Sequence, residues 1–453
     1  MNKAIKNVPK GTDVPNRNVP KRTWKKTERR IKMKLSKLNP KKINFNDVDK
    51  NYSGQDILMK LGELYQFESG IFGYGNIWTK MERIVENIII DELDKADCIQ
   101  AEFPKLQPRK IWEQSGRWDV YTKEADIMFN MSNNLGDYGL APTAEECATI
   151  FGSNRLLSYK NLPATYYQIG EKFRKEIRAR GYLFRPRTFV MMDAYSFDKT
   201  QEDMHKNFEK MHDVYMNIFK RIGINIIPVV SDGGTMGGRV SEEFQAITKL
   251  GEDIILYNEE KNVGINKEVL DFEDKETFID RLQGLSLEDM KEYNSVELGN
   301  NFELGTKYSE AMGLTYQDEN GQSKPYYMGC YGIGLGRIIA TTIENNIIIK
   351  NDRVKGFAIP ENIAPYKVQI IYSDENKEKA FELYNKLQDN GVNAIIDDRE
   401  NLNMGNRIND VYALGTPYML VMGKKFEDGK YELETSKTGE KEVFSIDELI
   451  KKF

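Results

Sequence analysis

One stretch constrains this chain more than any other. Tyr167–Asp198 reads YQIGEKFRKEIRARGYLFRPRTFVMMDAYSFD. Its two ends are rich in aromatic and apolar residues, and its middle is an arginine-rich turn. It therefore reads as strand–loop–strand, with F-R-x-E at Phe173–Glu176 and R-x-x-x-F at Arg185–Phe189. Guanidinium groups at such strand ends suit planar anions, because a rigid fork of donors can meet two oxygens at once. A second stretch, MGCYGIGLGR at Met328–Arg337, carries three glycines after its first and ends in another arginine. Glycines there let the backbone come close to a ligand.

The chain has 453 residues, a length that suits two to four domains. With 40% hydrophobic residues it can bury a large core. The densest apolar run, Ile84–Ile90, is interrupted by charge, so no membrane span is expected. Cys98, Cys147 and Cys330 are scattered and odd in number, with no zinc spacing. That suits a reducing compartment, and a cytoplasmic location is expected.

Net charge is −5, but residues 1–50 hold 16 Lys+Arg against 4 Asp+Glu. This +12 excess leaves −17 on the remainder. The asymmetry fits a nucleic-acid partner or a solvated basic tail. A transit peptide fits less well, since the segment is Lys-rich, Ser-poor and without an amphipathic stripe. Residues 1–50 are read as a flexible basic extension.

Ile77, Met81, Ile84, Val85 and Ile88 recur at helical spacing, and the helix should end near Ala96. A strand, Cys98–Phe103, should come next and stop at Pro104. Residues 258–295 read as a charged loop with short helices at Lys275–Leu282 and Leu287–Tyr293. Beyond Arg337 a helix runs to about Glu344. The last part alternates: strand Val368–Tyr372, helix Lys377–Asn390, strand Ala394–Ile396, helix Arg407–Leu414 and strand Tyr418–Val421. That alternation implies a small α/β domain. The expected division is 1–50, 51–350 and 351–453.

Both arginine motifs, together with LQPRKIWEQSGRWDVY and FELGTKYSEAM, resemble the bacterial-type prolyl-tRNA synthetases of class II. The resemblance covers roughly residues 54–257 and 296–430. It implies an α+β fold: an antiparallel class II sheet flanked by helices, followed by an α/β anticodon-binding domain. It implies activation of proline with ATP to prolyl-adenylate, transfer to the proline tRNA, magnesium on the phosphates and a homodimer. Such adenylation needs charge neutralisation and in-line placement rather than a general base. His205 and His212, seven apart on a predicted helix, therefore read as surface or packing residues.

By the same resemblance, Arg174 and Arg337 are the catalytic pair. Arg174 would bridge the α-phosphate and the substrate carboxylate, and Glu176 would meet the adenine edge. Arg185 would hold the γ-phosphate. Phe189 and Arg337 would sandwich the base, with Gly332, Gly334 and Gly336 giving close approach. Thr143, Glu145, Arg174, Met191, Asp193, Glu243 and Phe244 would form the proline site. Thr143 also reads as a helix cap. Asp398, Arg399 and Arg407 would meet the anticodon, or else solvate loops. No residue reads as a magnesium ligand.

Several positions depart from the family. Ala144 stands for His, Thr188 for an acidic residue, Met192 for a basic one, Pro186 for Gly, and Glu242 for the His of S-H-E-F. Glu242 would set a negative charge beside the substrate pocket. The family's large editing domain has no room here, since residues 258–295 are too few. Two other readings remain at this level: a prolyl-adenylate enzyme serving a non-tRNA acceptor, and a non-catalytic tRNA-binding module. Retention of Arg174, Arg185, Phe189 and Arg337 weighs against the second.

Overall fold

The computed structural model describes residues 33–453, except 44, 46–47, 49–50, 177–181, 235, 237, 239 and 283. The part of the basic extension before Met33 lies outside the described residues. At the described residues from Met33 to Val48 the expectation of a flexible segment is not met. Leu35, Ile43, Phe45 and Val48 are all buried. Each belongs to the large apolar core that also holds Ile57, Leu58 and Leu61, and that packing orders the segment.

The centre is a nine-stranded sheet. Its strands are β1 (Ile99–Gln100), β2 (Ala164–Phe173), β3 (Thr188–Asp198), β4 (Ile227–Asp232), β5 (Val240–Ile247), β6 (Asp253–Asn258), β7 (Val263–Asn266), β8 (Lys291–Gly305) and β9 (Tyr327–Gly334). The order is β5-β4-β7-β6-β8-β9-β3-β2-β1. Pairing is antiparallel except for β7 on β4 and β1 on β2. The long strand β8 carries β5 and β6 one after the other along one edge: Ser241 faces Phe302, and Tyr257 faces Lys291.

Helices α1 (Gly54–Leu61), α2 (Asn76–Lys95), α3 (Glu145–Ser153), α4 (Gln201–Ile222) and α5 (Leu335–Glu344) surround this sheet. Helix α4 begins at a Thr200 side-chain cap on Asp203 N–H and ends where Gly223 turns left-handed at φ 89°. Its Met211, Tyr215, Ile218 and Phe219 are buried against the sheet. The strand expected at Cys98–Phe103 is shorter than that. After Gln100 the ladder stops, and Phe103 N–H is taken by the Gln168 side chain rather than by a backbone carbonyl.

Residues 258–295 are not a plain loop. Ile265, Val269, Phe278 and Leu282 are fully buried in a small core of their own. The expected helix at Lys275–Leu282 is a short α-turn, Glu276–Ile279, followed by a 3-10 turn. The one at 287–293 is a 3-10 turn that gives way to β8. Abundant charges hid the apolar positions, and strand pairing overrode local pattern.

The C-terminal sheet holds β10 (Val368–Tyr372), β11 (Ala394–Ile396), β12 (Tyr418–Met422), β13 (Tyr431–Thr435) and β14 (Lys441–Phe444), with helices α6 (Lys377–Asp389) and α7 (Met404–Leu414). Its order is β11-β10-β12-β13-β14, parallel through the first three. The domain boundary expected at 350/351 falls at the turn of a hairpin, Ile347–Lys350 with Arg353–Phe357.

Candidate active site

A cavity of about 800 Å³ opens on the face of the sheet away from α4. That volume suits a small-molecule site. Arg174, Glu176, Arg185, Phe189, Gly332, Gly334 and Arg337 all line it, as do Thr143, Met191 and Asp193. The strands explain why. β2 and β3 pair antiparallel, so the F-R-x-E end and the R-x-x-x-F end come together, and β9 lies beside β3.

The three arginines differ in what they already hold. Arg185 is paired with Glu252. Arg337 places Nη1 2.8 Å from a Glu297 carboxylate oxygen and donates through Nε to Phe184 O at 2.9 Å. Arg174 has no carboxylate partner among the described residues. It donates through Nε to Pro142 O at 3.2 Å, and its guanidinium sits 5.2 Å from the Phe189 ring centroid. An unneutralised cation in a cavity is an anion receptor. A Cβ added at Gly332 would meet nothing closer than Met191 Sδ at 3.7 Å. The protein's own packing leaves that space open on the cavity side.

The other end of the cavity is a buried polar network. Thr143 Oγ1 donates to Glu145 Oε1 at 2.7 Å, so it does not cap α3, whose cap position is Ala144. Arg117, which is buried, donates from Nη1 to Glu145 Oε2 and Glu146 Oε1, both at 3.0 Å. Ser115 Oγ donates to the same Glu146 oxygen at 2.7 Å. Burial alone would push the Glu145 carboxyl up, but Arg117 and Thr143 outweigh it and hold it below the usual range. Burial and the like charge of Glu145 push Glu146 up. Of the two, Glu145 is the one held toward its charged form. It is fully buried and stands behind the cavity wall; Cys330, whose Sγ lies 3.4 Å from it, is in the wall. Asp193 is clamped by Lys172 Nζ at 2.5 Å, Gln168 Nε2 at 2.8 Å and Tyr195 Oη at 2.8 Å.

Three expected proline-site residues do not line the cavity: Glu145, behind its wall, Glu243 and Phe244. Phe244 is fully buried on the opposite face, with its ring 4.8 Å from Tyr215 of α4. Strand alternation is the cause: neighbours along β5 point to opposite faces. The same rule corrects Glu242. It points to α4 and pairs with His212 Nδ1 at 2.9 Å, so it adds no charge beside the substrate pocket. That pair raises the His212 pKa.

Glu243 faces the cavity side of the sheet but does not line the cavity. Burial, with the charge of Glu297 added, pushes its carboxyl up to about 8. A carboxyl raised in the folded state gives its full stability below the ordinary carboxylate pKa and loses it as pH rises toward 8. Glu243→Gln should therefore stabilise the protein at pH 8 by on the order of 2 kcal/mol and leave it unchanged near pH 4. Thermal melts at the two pH values check this; equal melting shifts at both would refute it.

No group of three or more His, Cys, Asp or Glu side chains fit to hold a metal occurs among the described residues. A magnesium ion between nucleotide phosphates needs just one or two protein carboxylates. Glu297, in the cavity wall, fits that need. Burial, with the charge of Glu297 added, raises both Glu243 and Asp253, the latter to about 6. A cation beside Glu297 would relieve that crowding.

Sequence reasoning missed Arg117, Lys172 and Glu297 as site residues. Lys172 stands two residues before Arg174, on the same strand face, which is a readable signal. Arg117 and Glu297 carry none until the fold joins them to Glu145 and Arg337.

In the C-terminal sheet the three charges expected at a nucleic-acid surface all have partners within the protein, and Arg407 is buried. Arg407 is 3% exposed and donates to Asp397 O and Arg399 O, each at 2.6 Å. Arg399 makes a two-pronged bond to Asp397, both arms 2.8 Å, and a further one to Asp410. Asp398 binds Ser36, through its N–H at 2.9 Å and its hydroxyl at 2.8 Å. Each residue has a structural partner that the local sequence did not reveal.

Comparison with known proteins agrees with this geometry. The model of the class II tRNA synthetase core domain (G, H, P, S and T) matches residues 123–346, and that of the anticodon binding domain matches 364–453. The proline–tRNA ligase of Sulfurimonas denitrificans is 34% identical, over 88% of this chain and 93% of that protein. The one from Rickettsia bellii is 32% identical, over 91% and 97%. The Bacillus subtilis ligase is 28% identical over 89% of this chain, yet that alignment runs for 550 positions against 419 for Sulfurimonas. It therefore carries a long stretch without counterpart here. Among solved structures, a prolyl-tRNA synthetase from Cryptosporidium parvum, complexed with L-proline and AMP, shares the fold at TM-score 0.70 and 17% identity, over 90% of this chain and 75% of that one. The chain belongs to the proline–tRNA ligase family of class II synthetases.

Proposed function

We propose that the protein activates proline with ATP and transfers it to the 3′ end of the proline tRNA. The observation that carries this is the Arg174 guanidinium, without a carboxylate partner among the described residues, in a cavity lined also by Phe189, Arg337 and Thr143, with Glu145 behind Thr143. The substrate carboxylate oxygen attacks the α-phosphorus, and pyrophosphate leaves. Arg174 lies between the two anions and offsets their repulsion, so the attack runs in line. The ammonium of proline has two N–H donors, which Thr143 and the negative charge at Glu145 suit. Phe189 and Arg337 hold the base, and Arg185 the far phosphate. Glu297 would hold a magnesium ion, which when bound would supply charge neutralisation on the phosphates. In the second step the terminal hydroxyl of tRNA attacks the carbonyl carbon, and AMP leaves. Transfer of labelled proline to tRNA with ATP and magnesium tests the reading. Proline-dependent pyrophosphate exchange without charging would instead support a non-tRNA acceptor, and neither activity would leave a tRNA-binding module.

Residues 258–295 are spent on β7, the first residues of β8 and a small core, and the described residues among them build no separate editing unit. Alanine is smaller than proline, and a pocket rejects a smaller side chain by ~1–3 kcal/mol. Alanine should thus be activated about 10- to 200-fold less efficiently than proline. Alanyl-tRNA should not be hydrolysed by the protein above the spontaneous rate, as a deacylation assay will read. A homodimer is the expected assembly. Ile99 on the edge strand β1 is 49% exposed and Leu135 78% exposed. Leu135→Asp should shift the mass in light scattering from dimer to monomer.

A further inference from the structure

We propose that the segment from Met33 to Lys41, together with α1, is a brace that sets the tRNA-reading sheet against the catalytic helix, with Ser36 and Asp398 as its latch. This rests on the tRNA-charging function proposed for the protein. The brace begins on the open edge of the C-terminal sheet. Lys34 bridges to Ile396 of β11 in parallel register, and Tyr384 of α6 donates to Met33 O at 2.8 Å. Ser36 then occupies both carboxylate oxygens of Asp398, the second residue beyond β11. Leu35 is fully buried in the same apolar cluster as Ile395, Leu414 and Leu58.

The chain next passes to the catalytic side, where Lys41 N–H donates to Leu61 O, at the end of α1, at 3.0 Å. Helix α1 packs against both α5 and α7. Its first residue, Gly54, donates to Glu344 at 2.8 Å, at the far end of α5, and α5 carries Arg337 near its start. A Cβ at Gly54 would fall 2.5 Å from Ile343 Cγ2, so this approach requires glycine. A continuous set of contacts thus joins the edge strand of the C-terminal sheet to the helix that presents Arg337. Adenylation uses the catalytic cavity alone. Charging needs the tRNA held by one sheet while its end reaches the other. The brace is a positioning element for the second step.

Ser36→Asp breaks the latch, because it sets a carboxylate against Asp398. In that variant kcat/KM for tRNA charging should fall about 10-fold or more, while proline-dependent pyrophosphate exchange stays within 2-fold of the original protein. The double variant S36D/D398N, in which an amide donor can face the new carboxylate, should recover most of the loss. Tyr384→Phe, which frees Met33, should give a smaller loss of the same kind. Equal charging by S36D and the original protein would overturn the brace, as would an S36D loss that exchange shares in full. If D398N alone is impaired as severely whichever residue stands at 36, Asp398 contacts tRNA directly and the latch is wrong. An original protein that fails to charge tRNA at all would instead sink the functional reading on which the proposal rests.

Discussion

Arg174→Ala should lower proline-dependent pyrophosphate exchange by about 10³-fold or more. The two reacting groups, a carboxylate and a phosphate, repel each other, and Arg174 is the cavity arginine with no described carboxylate already claiming it. Arg185 and Arg337 spend part of their charge on Glu252 and Glu297. Loss of the free guanidinium therefore removes the strongest local field on the reacting atoms. The fold should be spared, since the side chain contributes one hydrogen bond, to Pro142 O, and a ring contact. Arg174→Lys should recover little, because a single ammonium cannot span two anions as a planar fork does. Thermal melts beside exchange assays separate the two effects; exchange within 10-fold of normal in Arg174→Ala would refute the assignment.

Arg117→Met should be the most damaging single change to the protein as a whole. Glu145 and Glu146 are both fully buried, and Arg117 is the cation between them. Removing one member of such a group leaves buried charge uncompensated and costs about 3–5 kcal/mol. Burial alone pushes the Glu145 carboxyl up, so loss of Arg117 weakens its hold on a negative charge. Less charge there attracts the substrate ammonium less, so the KM for proline should rise by on the order of 10-fold or more, one factor of ten for each 1.4 kcal/mol of lost contact. Adding Glu145→Gln and Glu146→Gln to Arg117→Met should restore much of the stability, because no carboxyl is then buried without its cation. It should leave proline binding weak. Recovery of both together would mean that the network is structural and plays no part in recognition.

How much of the site was legible in the sequence depends on how far apart the partners lie. Arg174, Phe189 and Arg337 sit in continuous words whose spacing is set by two adjacent strands and a strand–helix turn, so their meeting was readable. The last third was readable for a similar reason: helices and strands there alternate over short loops, and Val368–Tyr372 and Ala394–Ile396 fall where the pattern put them. The Arg117–Glu145–Glu146 network joins residues 28 and 29 apart, and neither end announces the other. Glu242 and Glu243 are adjacent, and only the register of β5 decides which one faces α4. Asp398 has a partner that the sequence could not show. A charged residue in a charged loop reads as a surface contact, yet its partner, Ser36, is 362 residues away. Apolar positions diluted by charge hid the small core around Phe278 in the same way.

The shared apolar cluster in which Leu35 meets Leu58, Ile395 and Leu414 bears on how such proteins can be recombined. A graft that exchanges everything after the Ile347–Phe357 hairpin with a relative would leave the N-terminal half of that seam behind. Leu35 and Ser36 would then face a foreign surface. The unit that folds around the C-terminal sheet is discontinuous in sequence: it comprises residues 364–453, the range of the anticodon domain match, and a short piece at Met33–Lys41. Chimeras that carry both pieces should fold and charge, and those that carry one should not.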